Sequence, residues 1–201
     1  MGLNTRLLDL YHRLYNIYHF NLSNSYLIKE QISYFTAKEL QTKFIYNDTA
    51  TTIFEFTCKH NEIFELAIYI LHNIPGINPN IYVGNDSPLH NSISENSYTL
   101  SKELIEYGAN VNACSLSYLT TPLIIAVIYK HFDLVKLLVK NGADIHLKLK
   151  GVGFYSAYEH SDADIYQDIK PYFDKHFFTT KSATKRAPYI SVNLINSENK
   201  I

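Results

Sequence analysis

The sequence predicts an all-α fold, a solenoid of short helix pairs with a helical N-terminal cap. Three observations carry that prediction. A capped helix start, Ser87-Pro88-Leu89-His90, returns 34 residues later as Thr121-Pro122-Leu123-Ile124. A glycine stop returns in the same register: Gly108-Ala109-Asn110-Val111-Asn112, then Gly142-Ala143-Asp144-Ile145-His146, each 21 residues after its start. Apolar residues between them fall at helical spacing, as at Leu134, Leu137 and Leu138. Two starts and two stops in one register define a repeat.

Each element has a local reason. The Thr121 hydroxyl can accept a bond from an orphan backbone N–H, and Pro122 fits the first turn because no donor is needed there. A first helix is expected from Leu123 to about Tyr129, and a second after residues 130–133. Gly142 ends it, because glycine enters the left-handed conformation at little cost. Fainter copies flank this pair. Thr52-Ile53-Phe54 opens a unit 35 residues before Ser87 and leads into "ELAIYILHNIPGIN". Gly153-Phe154-Tyr155-Ser156-Ala157 opens a last unit, with "DIYQDIKPYF" as its second helix. Repetition has a physical cause: a helix pair this short cannot bury its apolar face alone, so about three or more must stack.

Ahead of the repeats, Leu7, Leu10, Tyr11, Leu14, Ile17 and Tyr18 form one helical stripe, and Thr36 to Glu39 reads as a capping box opening a further helix. The expected division is a helical cap over 1–48 and repeats over 49–176 (49–83, 84–117, 118–150 and 151–176). A loose tail without periodicity follows over 177–201.

The motifs "SPLH" with "YGANVNA" and "TPLI" with "NGADIH" resemble the ankyrin repeat family, most specifically over residues 87–146 and in outline over about 50–175. The resemblance implies an ankyrin-type solenoid in which His90 bridges backbone groups of adjacent repeats. Glu55 and Ile124 stand at that position in the neighbouring units, so the histidine network is incomplete. Ser101 and Glu103 replace the apolar Val135 and Leu137 of the next unit, which predicts a poorer second helix in the middle repeat. The resemblance also implies a non-catalytic protein-interaction module. Its partners would bind the loop tips, here about 81–85, 115–119 and 147–152, and the solvent-facing side of the first helices. The residues so indicated are Tyr82, Leu116, Tyr118, Leu119, Ile128, Tyr129 and Leu149. Tyrosine suits such a role because it offers large contact area at low entropy cost.

Composition narrows the classes. Hydrophobic residues are 46% and charged residues 18%, as in a folded domain. A net charge of -1 argues against a nucleic-acid binder. No apolar run approaches the ~20 residues that span a bilayer, and the N-terminus lacks the apolar block of a signal peptide. Arg6 stands where a myristoylation motif at Gly2 wants Ser or Thr. Cys58 and Cys114 read as reduced thiols of a cytoplasmic protein, or of one delivered into a host cell. The abundance of Ile, Asn, Lys and Tyr matches AT-rich codons, a bias of intracellular bacteria and large DNA viruses. Cys58, His60 and His72 sit near one another in sequence, yet "CKH" fits a turn, so no metal and no cofactor are expected. No phosphate loop, HExxH or nucleophile elbow is present. The expected partner of this monomer is another protein, with no nucleic acid or membrane involved. The alternative is a small enzyme or toxin acting through His12, Glu30 and Glu39 of the N-terminal segment.

Overall fold

A computed structural model describes residues 2–20, 25–46, 49–82, 84–116, 119–147, 156–160 and 168–180. The chain opens with α1 (Leu3–Phe20), α2 (Ser25–Ser33) and the single turn α3 (Ala37–Leu40). Thr36 caps α3 in a capping box: its hydroxyl accepts from the Glu39 N–H, and the Glu39 carboxylate accepts from the Thr36 N–H at 2.8 Å. A short antiparallel pair follows, β1 (Phe44–Tyr46) and β2 (Thr49–Thr51), in the register Phe44↔Thr51 and Tyr46↔Thr49. The sequence reading had no strand here.

The repeats then run as helix pairs. These are α4 (Ile53–Lys59) with α5 (Phe64–Asn73), α6 (Pro88–Ser94) with α7 (Tyr98–Glu106), and α8 (Pro122–Ile128) with α9 (Phe132–Lys140). Thr52 and Thr121 cap α4 and α8 by accepting from Glu55 and Ile124 N–H groups. The α7 and α9 stops are alike. Gly108 and Gly142 have φ of +90° and +88°, and the following alanine N–H returns to the Leu104 or Leu138 carbonyl at 2.9 and 3.0 Å. Within a pair, Asn96 and Lys130 take the left-handed conformation that turns the first helix into the second.

The last unit departs from its expected limits. Ser156 caps α10 (Ala157–His160) by accepting from the Glu159 N–H, one residue later than a 34-residue period from Thr121 would place it. The helix α11 (Lys170–Thr180) starts within the expected "DIYQDIKPYF" and runs past the expected boundary at 176. Residues 161–167 and 181–201 lie outside the described ones.

The first helices form an inner layer in which α4, α6, α8 and α10 stack in order, and α5, α7 and α9 form the outer layer. The N-terminal helices enter the same layers: α1 packs on α4 and α2 packs on α5. Leu7, Leu10, Tyr11, Leu14, Ile28 and Ile32 are the buried residues of this pair. An amide ladder joins the units. Asn80 donates to the Gly108 carbonyl at 2.9 Å and accepts from the Asn110 N–H at 2.7 Å. Asn112 repeats this with Gly142 at 3.2 Å and Asp144 at 2.8 Å. Gln41 is its first rung, donating to the Asn78 carbonyl at 2.7 Å and accepting from the Asn78 N–H at 3.1 Å. The first 46 residues thus supply a helix pair and a rung in the place of a repeat, without the repeat's motif.

The expected weakness of α7 is corrected at Ser101. It is fully buried, but its hydroxyl donates to the Ser97 carbonyl at 2.6 Å and lies 2.9 Å from the Ser92 hydroxyl. Glu103 bonds His72 of the preceding repeat at 2.8 Å. Two residues that read as packing defects make polar contacts instead.

Candidate interaction surface

The tips between repeats are set by backbone bonds. The Leu116 N–H donates to the Asn85 carbonyl at 2.7 Å, which ties one tip to its neighbour, and Ser115 closes its own tip on the Thr120 carbonyl at 2.8 Å. Leu116 leaves 47% of its surface in solvent. Leu119 is half-buried and holds φ of +48°, a conformation that costs a bulky residue free energy. Tyr82 is half-buried, and its hydroxyl donates to the Cys114 carbonyl at 3.1 Å. Burial is the main cause that raises its pKa above the usual tyrosine value. Its polar end is therefore already engaged within the protein.

Ile128 and Tyr129 lie elsewhere. They end α8, whose start adjoins the tip, so roughly 10 Å of helix separates the two groups. Ile128 is 42% exposed and Tyr129 58%, and Phe132 opens α9 beside them at 36%. The predicted residues thus divide into a tip group (Tyr82, Leu116, Leu119) and a helix-end group (Ile128, Tyr129). Tyr118 and Leu149 lie outside the described residues.

A cluster of ring side chains lies apart from both groups. On α1, His12, Tyr15 and His19 fall at i, i+3 and i+7. His12 packs against Tyr46 of β1 at 5.3 Å between ring centres, and Tyr15 against His19 at 4.1 Å.

The candidates for chemistry are placed apart. His60 ends α4 with its ring against Tyr18 and Phe56, at 4.1 and 4.5 Å. Burial is the main cause that lowers its proton affinity. Cys58 is buried, which pushes its thiol well above the ordinary range, and His72 is engaged with Glu103 on the outer layer. Among the described residues no group of three or more His, Cys, Asp or Glu could hold a metal ion. Glu39 serves the α3 cap and pairs with Arg6 at 3.5 Å. Its carboxyl is held below the usual range chiefly by the Thr36 N–H. His12 lies on α1 and Glu30 on α2. An open groove of about 600 Å³ runs along the outer face between Tyr98, Lys102, Lys136, Lys140 and Tyr172. Lys102 and Lys136 are paired with carboxylates of their own helices, Glu106 and Asp133. No helix among the described residues is long and apolar enough to cross a membrane.

Two stacked layers, left-handed turns and an amide ladder form one repeated design, and comparison with known proteins agrees. The ankyrin repeat family matches residues 54–148, in three copies. Residues 54–148 are ankyrin repeats. A relative is an ankyrin repeat protein of Acanthamoeba polyphaga mimivirus, 44% identical over 64 residues, or 32% of this chain. The chain spans only 20% of that relative's length. Ankyrin repeats are protein–protein interaction modules, and the helical repeat architecture here belongs to that class.

Proposed function

We propose that this protein binds another protein, without catalysis, through its tips and the exposed ends of its inner helices. The observation that supports this reading is the exposure of Leu116, Ile128 and Tyr129 on a surface whose motif residues are consumed by caps, turns and packing. Tyr118 and Leu149 belong to the proposed surface by their place in the sequence. The mimivirus relative and the AT-rich residue usage support a viral or intracellular-bacterial source and hence a host protein as partner, bound by a monomer.

The test is calorimetric titration of a partner recovered by pull-down from host lysate. Replacing Leu116, Ile128 and Tyr129 together by Ser should weaken binding at least about 30-fold, equivalent to about 2 kcal/mol. Replacing His12, His60 and His72 together should leave binding intact. Loss in the histidine variant alone would overturn the interaction-surface reading in favour of a chemical site.

A further inference from the structure

Two histidines lie at the interface between the second and third repeats, one from each side. From the second repeat, His90 donates through Nε2 to the Thr120 carbonyl at 3.3 Å. Its Nδ1 accepts from the Ser87 hydroxyl at 2.7 Å and from the Ser87 N–H at 3.3 Å. From the third repeat, the His131 ring lies by the Ser94 carbonyl, and its Nε2 is buried with no hydrogen-bond partner among the described residues. The Ser87 N–H pointed at Nδ1 suits a neutral His90 ring with its proton on Nε2. A proton on Nδ1 of His90 removes the acceptor that completes the α6 cap. A proton on Nε2 of His131 creates a buried donor with nothing among the described residues to receive it.

The interface between the first and second repeats is made of different bonds. Nε2 of His72 meets the Glu103 carboxylate at 2.8 Å, with the imidazole half exposed. At the position His90 fills in the second repeat, the first repeat buries Glu55, which pairs with Lys59 at 2.9 Å and accepts from the Thr51 hydroxyl at 3.3 Å.

We propose that acid uncouples the second repeat from the third while the first and second stay joined. Coupling in a repeat array is set interface by interface, so the loss is local. Burial is the largest cause that holds both His90 and His131 below the ordinary histidine value of 6.5. The charged groups around them do not reverse this. Asp86 favours the charged form of His90 but is outweighed, the Glu55–Lys59 pair on α4 is internally matched, and Asp133 follows His131 on α9 with Lys136 beside it. Because the folded values lie below the unfolded one, their stabilisation is whole above 6.5 and is lost as pH falls through the folded values. Glu55 has the opposite sign. Burial raises its value, so the folded first repeat takes up a proton more readily than the unfolded chain and gains stability on acidification.

Hydrogen exchange of the full chain at about pH 7.5 and about pH 5, corrected for intrinsic rates, tests this. Protection of α8 and α9 should fall at least about tenfold more than that of α4 and α5, the equivalent of one pH unit of differential titration. Equal loss in both regions, or none in α8 and α9, overturns the proposal. In the double variant His90→Gln, His131→Gln the difference should shrink to less than about threefold, and its persistence overturns the assignment to these rings. Should that variant fail to fold, proton NMR of the natural chain decides. Both rings must titrate below 6.5, and titration of either at or above that value refutes the mechanism.

Discussion

Where their two helices meet, the second repeat carries Ser92 and Ser101, and the third carries Ala126 and Val135 at the same positions. All four are buried. In the second repeat Ser101 donates to the Ser97 carbonyl and Ser92 to the Leu89 carbonyl, and the two hydroxyl oxygens lie 2.9 Å apart. In the third repeat, apolar atoms fill the same place. One backbone geometry is therefore reached by two chemistries, and the difference teaches that a polar residue at a core position of a repeat is no defect when its neighbour answers it. The two solutions fail differently. Removing a packing residue leaves a cavity, whereas removing one hydroxyl leaves its partner bonded to the backbone.

Three measurements sharpen the contrast, each by urea unfolding monitored by circular dichroism. The largest effect belongs to Leu137→Ala in the third repeat, which should cost about 2–5 kcal/mol. Glu103→Ala, its counterpart in the second, should cost less than about 1 kcal/mol because the His72 pair is open to solvent. Similar costs would mean that the third repeat is not the packing-dominated one. Next comes Ser101→Ala, expected to cost about 1 kcal/mol, whereas Ser92→Ala with Ser101→Val imports the third repeat's pair and should lie within about 1 kcal/mol of the natural chain. A double variant far less stable than the single one would show that the serines hold a geometry the apolar pair cannot. Smallest are Leu116→Ala and Tyr129→Ala, each below about 0.5 kcal/mol, as exposed positions allow. A larger loss at either would move it from the surface into the fold.

Caps and stops were legible because each needs a particular residue chemistry: a hydroxyl at Thr52, Ser87 and Thr121, and a left-handed glycine at Gly108 and Gly142. Of the α1–α2 pair, α1 was legible as a helix and α2 only as part of a helical cap; neither was legible as an occupant of a repeat's place, because the pair enters the stack by shape and carries neither signal. The ladder was half-visible. Gly-x-Asn-x-Asn recurs at Gly76 and Gly108, yet that the second Asn reaches the next repeat's carbonyl is a fact of stacking, not of spacing. Exposure at Leu116, Ile128 and Tyr129 followed from their positions in the unit. The strain at Leu119 and the bonded hydroxyl of Tyr82 did not, since both depend on how two tips meet.

Gln41, Asn80 and Asn112 each hold the following unit by two short bonds, and the rungs lie one after another along the stack. Tension applied between the ends of the chain therefore loads these bonds in series. The first pair to break frees its unit before the next feels the full force. Extension should come as a staircase, each step releasing about 34 residues, or roughly 110 Å of drawn chain at 3.3–3.6 Å per residue. A molecule fastened this way yields to a pull as a ratchet does, one tooth at a time.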